Sequence, residues 1–267
     1  MLGLLPRTAA VTGEARFDGR GLFGLSRTAW RHLRGRELAV VFQDPMTSLN
    51  PVLTIGGQIA EGLREHLGFG PSAAAARAVE LLAAVGIPEP KRRASQYPHQ
   101  LSGGMRQRVA IAIALSCEPR LLIADEPTTA LDVTVQAQIL DLLARERQKR
   151  QMAMILITHD LGIVAGRTDE VAVMYAGRIM ERAPTRALFK HRRSPYAEAL
   201  IAAIPKLHAP PHTRLISIAG APPDPTRPVP GCPFHPRCPS AQARCRRERP
   251  ELAQTDDHYY ACWFPVP

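Results

Sequence analysis

Lysine is nearly missing from this chain of 267 residues: only four of its 34 basic residues are lysines, the first is Lys91, and no glycine is followed by lysine anywhere. That excludes from these residues the G-x-x-x-x-G-K-[ST] loop, whose N–H groups wrap a nucleotide's phosphates while its lysine neutralises them. Long apolar runs are also missing. None approaches the ~18 residues that a membrane-spanning helix needs, and Met1-Leu-Gly-Leu-Leu-Pro6 is too short, and lacks the basic leader, for a signal peptide. These absences predict a cytoplasmic chain, attached to a membrane at most through partners. Cysteine is sparse, with Cys117 set apart from Cys232, Cys238, Cys245 and Cys262, and no two cysteines stand two residues apart as in common zinc sites.

What is present is globular in composition, 45% hydrophobic and 22% charged, and long enough for one large or two modest domains. The net charge is +10 (34 − 24), which invites nucleic acid or an anionic membrane face. The arginines are scattered, however, and cluster only at Lys91-Arg92-Arg93, Arg145 to Arg150 and Lys190 to Arg193. A solvated surface accounts for them, and no nucleic acid is expected as a partner.

Short strands and turns are expected over residues 11 to 41, ending in an apolar strand, Leu38 to Phe42, that delivers Gln43 to a loop. Helical spacing follows at Ile55 to Leu67 and at Ser72 to Val85, with Ser72 as cap and Gly86 as stop. With the stretch to about Ala114 these predict a helical subdomain, about 51–114. Arg120 to Ala124 and Met154 to Ile157 read as buried strands flanking an amphipathic helix, Val133 to Lys149. A turn at Ala176-Gly177 makes a hairpin of Val171 to Tyr175 and Arg178 to Glu181. Short helices are expected at Thr185 to His191 and Pro195 to Ile204. Strands alternating with helices, with polar chemistry at the strand ends, predict an α/β fold whose ligand lies along the sheet's C-terminal edge. From Pro205 to Gly231 prolines dominate, as in a stiff linker, leaving 232–267 as a module too small for its own core. The domain reading is thus 1–204, 205–231 and 232–267.

Two motifs carry the chemistry. In LSGGM, Leu101 to Met105, Ser102 is a good N-cap, and Gly103 and Gly104 leave N–H groups bare where the helix through Val109 to Leu115 begins, which makes an anion site. In LLIADEP, Leu121 to Pro127, Asp125 ends an apolar strand and suits Mg²⁺ through water, while the adjacent Glu126 suits a general base for hydrolysis. A lone Asp-Glu pair after a strand is usually a surface turn; the two motifs in this order give it meaning.

Together LSGGM and LLIADEP resemble the signature of ATP-binding-cassette ATPases. The resemblance implies a P-loop-type sheet, ATP and Mg²⁺ as ligands, and a second nucleotide-binding subunit whose γ-phosphate Ser102, Gly103 and Gly104 reach across a dimer. It implies that Leu131-Asp132 is the dimer-facing D-loop, that His159, after MAMILIT, is the switch histidine bridging Glu126 and the γ-phosphate, and that Gln43 contacts metal and attacking water. VFQDPMTSLNPVLTIGGQI, QYPHQLSGGMRQRVAIAIAL, ADEPTTALDVTVQAQIL and SPYAEALIAAIP further resemble the ATPase subunits of oligopeptide/dipeptide importers, some of which import nickel. Implied with them are two transmembrane permeases, a peptide-binding protein outside the membrane, and a peripheral place on the membrane's cytoplasmic face. The missing phosphate loop would lie upstream of Met1, so the chain is expected to be N-terminally truncated, with an incomplete sheet. The alternative is a catalytically incompetent subunit acting only as a binding or regulatory partner.

The tail GCPFHPRCPSAQARC, followed at Cys262 by the last thiol, resembles that subfamily's C-terminal extension, in which some members hold a [4Fe–4S] cluster on four cysteines. Cytoplasmic thiolates suit metal better than disulfides. Cys232, Cys238, Cys245 and Cys262 are therefore candidate cluster ligands, with zinc and free thiols as the alternatives, and Cys117 is expected only to pack.

Overall fold

The computed structural model describes residues 3–6, 8–129, 131–205 and 217–267. It divides into two compact units, Met1–Ile157 and Thr158–Pro267.

The first unit is built on three parallel strands, β3 (Leu38–Val41), β4 (Leu121–Asp125) and β5 (Ala153–Ile157), in the order β3-β4-β5. Central β4 is buried on both faces, with Leu122 and Ala124 fully covered, as its continuous apolar run requires. On β5, Ile155 and Ile157 remain exposed along one face. Parallel pairing puts the residues after β3 and β4 on one edge, so Gln43, Asp125 and Glu126 emerge together. The two-residue strands β1 (Arg16–Phe17) and β2 (Arg20–Gly21) pair antiparallel before helix α1 (Arg27–Leu33), and a short α2 (Pro45–Ser48) follows Gln43.

The expected helices follow as α3 (Ile55–Leu67), α4 (Pro71–Ala84), α6 (Gly103–Leu115) and α7 (Val133–Arg150), and a short α5 (Pro90–Ala94) that the sequence reading did not name lies between α4 and α6. On α3 the residues Ile55, Ile59 and Leu63 recur every fourth position and are buried, one stripe facing the core. They join Leu82 of α4, Ile111 and Leu115 of α6, Leu122 of β4 and Leu142 of α7 in a single cluster. One boundary differs from expectation. Ser72 does not cap α4; Gly70 occupies the N-cap position and Pro71 the first helical turn, because proline lacks the N–H that is unpaired there and its fixed φ suits the helix. Gly86 does end the helix, at φ +76°.

The second unit begins with the one-turn helix α8 (Leu161–Val164) and a four-stranded antiparallel sheet ordered β6 (Glu170–Tyr175), β7 (Arg178–Pro184), β9 (His258–Tyr260), β8 (Ala253–Thr255). The β6–β7 turn is Ala176-Gly177, both at positive φ, the backbone of a two-residue hairpin whose twist matches its strands. Helices α9 (Thr185–Lys190) and α10 (Pro195–Ala202) follow β7, and α11 (Ala243–Arg247) lies in the tail. The tail solves its shortage of core by adding strands to the hairpin: β9 pairs with β7, and Phe234 packs with Tyr175 and Met180. Of the Pro-rich stretch, 206–216 lies outside the described residues; beyond it Ile218 packs on the Tyr175–Met180–Phe234 cluster, and the Arg237 guanidinium donates to the Ile218 and Ala219 carbonyls, each at 2.9 Å.

Candidate nucleotide and cysteine sites

At the edge of the parallel sheet Gln43 and Glu126 meet. The Gln43 amide Nε2 donates to Glu126 Oε2 at 2.7 Å, and the Thr129 hydroxyl donates to the same oxygen at 2.8 Å. Glu126 is held by its backbone too, its N–H donating to the Ile157 carbonyl at 2.9 Å and its own carbonyl accepting from Thr129 N–H at 3.2 Å. This turn places Glu126 at φ +44°, a left-handed conformation that a residue with a Cβ adopts only under constraint. The carboxylate is thus aimed by strain and by two side-chain donors. Thr129 was missed in the sequence; its signal was the turn Glu126-Pro127-Thr128-Thr129, with proline at the second position.

Asp125 ends β4 half-buried, and its carboxylate makes no hydrogen bond to the described residues. A carboxylate left without a donor at a strand end has the chemistry of a hard-cation ligand, so the residue fits Mg²⁺. Among the described residues no group of three or more His, Cys, Asp and Glu side chains is arranged to hold a metal ion.

Ser102 caps α6 as expected, its hydroxyl accepting from Met105 N–H at a long 3.4 Å, and Ser102 and Gly103 are exposed. Asp132 caps α7 more tightly, accepting from Val135 N–H at 2.9 Å. The two caps are neighbours. A Cβ on Gly104 would lie 2.8 Å from Val135 Cγ1, whereas one on Gly103 would meet only Leu131, at 3.8 Å. Gly104 is glycine because α7 passes that closely; Gly103 has no such packing reason and leaves its N–H at an exposed helix start.

His159 stands at the head of the second unit, after Thr158, whose hydroxyl accepts from Asp160 N–H at 3.1 Å; Asp160 in turn caps α8, accepting from Gly162 N–H at 2.8 Å.

The tail brings Cys232, Cys238, Cys245 and Cys262 to the wall of one apolar cavity of about 20 Å³, lined also by Met180, Pro195 and Phe234. Burial raises the thiols of Cys232 and Cys238, with the neighbouring Cys245 adding to it, and pushes Cys262 up to about 11. Gly231, at φ +66°, lets the chain close on itself: a Cβ there would lie 2.3 Å from the Cys245 carbonyl, which accepts Cys232 N–H at 2.8 Å. Cys117, by contrast, is buried in the first unit with its thiol directed at the Gly62 carbonyl, 3.4 Å away.

Comparison with known proteins identifies the family. Residues 3–129 match the family described as ABC transporter, and residues 180–245 match the oligopeptide/dipeptide transporter C-terminal region. The dipeptide transport ATP-binding protein DppD of Escherichia coli is 47% identical over 268 residues, covering 100% of this chain and 82% of that protein, and DppD of Bacillus subtilis is 47% identical over 99% and 79%. The oligopeptide transport ATP-binding protein OppD of Mycobacterium tuberculosis is 51% identical over 98% of this chain, which spans only 43% of that relative's length. In three dimensions the dimeric ATP-binding cassette MJ0796 bound to ADP and Pi is similar, with TM-score 0.59 and 29% identity over 66% of this chain and 74% of that one. The chain belongs to the ABC transporter ATP-binding family, and its tail is of the oligopeptide/dipeptide type. No helix among the described residues is long and apolar enough to cross a membrane.

Proposed function

We propose that this chain is an energy-coupling subunit of a peptide importer, in which ATP binding and hydrolysis between two ATPase subunits drive two membrane permeases served by a peptide-binding protein. It works from the cytoplasmic face of the membrane, to which it is peripheral. The observation that carries the reading is the fixed Gln43–Glu126–Thr129 cluster at the sheet edge where Asp125 ends β4. A carboxylate aimed by two donors at a sheet's C-terminal edge can take a proton from an attacking water, and Gln43, whose amide already faces it, can orient that water. Asp125 and Gln43 would hold Mg²⁺, which when bound neutralises phosphate charge. The exposed N–H groups after Ser102 provide an anion site turned outward, suited to a γ-phosphate held by a second subunit, with Asp132 at the same face. His159 is assigned the switch-histidine role that its motif resembles. The domain division is 1–204, with a helical part at about 51–114, 205–231, and 232–267.

We further propose that Cys232, Cys238, Cys245 and Cys262 hold a [4Fe–4S] cluster. What supports the reading is four thiols on the wall of one apolar cavity, the donor type such a cluster takes; the cluster would supply a structural clamp or a redox-sensitive element. Each thiol must give up its proton on loading.

Two experiments test these readings. The chain is mixed with a peptide-importer ATPase subunit that bears G-x-x-x-x-G-K-[ST], and ATP hydrolysis is followed; Ser102→Ala combined with Gly103→Pro should lower the rate by roughly 10²-fold or more, as loss of preorganised donors does. An unchanged rate rejects the anion-site role. In the assembled ATPase, Glu126→Gln should cost about 10²–10⁴ in turnover. Anaerobically purified protein that contains no iron and lacks visible charge-transfer absorbance would remove the cluster.

A further inference from the structure

Glu181 is a fully buried carboxylate that the nucleotide chemistry does not use. It lies on β7, far in sequence from the partners it gathers. Oε1 accepts Arg193 N–H at 2.7 Å and lies 2.6 Å from His258 Nε2; Oε2 accepts Ser194 N–H at 2.7 Å. One side chain therefore ties together three segments: β7 itself, the connection entering α10, and β9. The residues next to each tie line the cysteine cavity. Met180 precedes Glu181, Pro195 follows Ser194, and Ala261, Cys262 and Trp263 follow β9. The last of these ties is the one that bears on a thiol, because Cys262 is joined to the other three cysteines by no nearby covalent path.

We propose that Glu181, acting through His258, is the positioning residue of the cysteine site: it fixes β9 against β7 and so sets where the Cys262 thiol stands. Supporting bonds act in the same direction. Ala261 N–H donates to the Met180 carbonyl at 2.8 Å, Val266 N–H to the Arg193 carbonyl at 2.8 Å, and the Arg182 and Arg193 guanidiniums lie over the Tyr259 and Tyr260 rings. The two guanidinium–ring contacts are individually weak. The Glu181–His258 contact is the buried side-chain tie between β7 and β9, and its loss takes a charge-assisted bond from a carboxylate that then keeps only the Arg193 and Ser194 N–H donors.

As a statement about metal this rests on the cluster reading; as a statement about Cys262 it does not, and the test separates the two. In metal-free, reduced protein, iodoacetamide labelling is resolved cysteine by cysteine by mass spectrometry for the wild type, His258→Phe, His258→Gln and Glu181→Gln. His258→Phe should speed labelling of Cys262 about tenfold, the scale of one lost hydrogen bond to a charged group, with Cys117, Cys232, Cys238 and Cys245 unchanged; His258→Gln, which keeps a donor, should restore most of the protection. Should a Glu181 variant fail to fold, the two His258 variants carry the test alone. After anaerobic loading with iron and sulfide, iron release to a chelator should be about 10–100-fold faster in His258→Phe, the scale of a lost outer partner. Equal Cys262 labelling in wild type and His258→Phe, or acceleration of all four tail cysteines together, overturns the proposal. If the wild type takes up no iron while Cys262 alone is unmasked, the cluster reading falls and the positioning role stands.

Discussion

The Gln43 amide donates to the Glu126 carboxylate at 2.7 Å, joining residues 83 apart in the chain at the edge of one parallel sheet. Each arrives there by a short strand, β3 or β4, whose neighbours lock it in register, so the contact is set by the sheet and closed by the side chains.

Glu126 holds a left-handed backbone at φ +44°. Replacement by glycine removes the Cβ that resists this conformation, whereas replacement by alanine keeps it, and both remove the carboxylate. Glu126→Gly is therefore expected to be more stable than Glu126→Ala by about 1–2 kcal/mol, the reverse of the usual order. Urea unfolding of the two variants measures the difference; an alanine variant as stable as the glycine one means the turn carries no such strain.

The two helix caps at the proposed dimer face should differ in worth. Asp132 accepts at 2.9 Å and Ser102 at 3.4 Å, so Asp132→Ala is expected to cost about 1 kcal/mol and Ser102→Ala clearly less. A serine that contributes little to its own helix, yet lowers hydrolysis when removed, is retained for a ligand. Equal losses of stability in chemical denaturation contradict this ranking.

Gly104 and Gly103 should respond oppositely. Gly104→Ala drives a methyl against Val135 and is expected to cost about 1–3 kcal/mol, with Val135→Ala recovering most of it, while Gly103→Ala changes stability little. A double-mutant cycle read by thermal unfolding checks this, and additive losses at positions 104 and 135 would show that the two do not touch.

Acid should weaken the β6–β7 hairpin at a defined point. Hydrogen bonding to Arg182 holds the Glu170 carboxyl below its ordinary value, so its contribution is complete above that ordinary value, near 4.5, and is lost as the pH falls through the lowered one. Because both side chains are about half exposed, the pair contributes no more than about 0.2–1 kcal/mol at pH 7. Glu170→Gln should be less stable than wild type by that amount at pH 7 and indistinguishable from it once Glu170 is protonated; a difference that persists in strong acid assigns the effect to packing.

Much of the nucleotide site could be read along the chain because each part is local. Asp125-Glu126 ends its own strand, Ser102 and Asp132 cap their own helices, and Gly86 and Ala176-Gly177 mark stops that depend only on the backbone of their neighbours. The apolar stripe Ile55, Ile59, Leu63 is likewise visible in a single helix. Where a local choice had two nearly equal answers, as at Gly70-Pro71-Ser72, the sequence placed the cap two residues too far along.

What tertiary structure alone decided is long-range. That Glu126 is bonded to Gln43 and strained, that Gly104 is glycine because α7 crosses it, that four cysteines separated by unequal gaps share one cavity, and that Glu181 ties three segments beside it all depend on strands and helices distant in sequence. The physical reason is that propensity, capping and periodicity act over a few residues, whereas burial and hydrogen-bond satisfaction are settled only when segments meet.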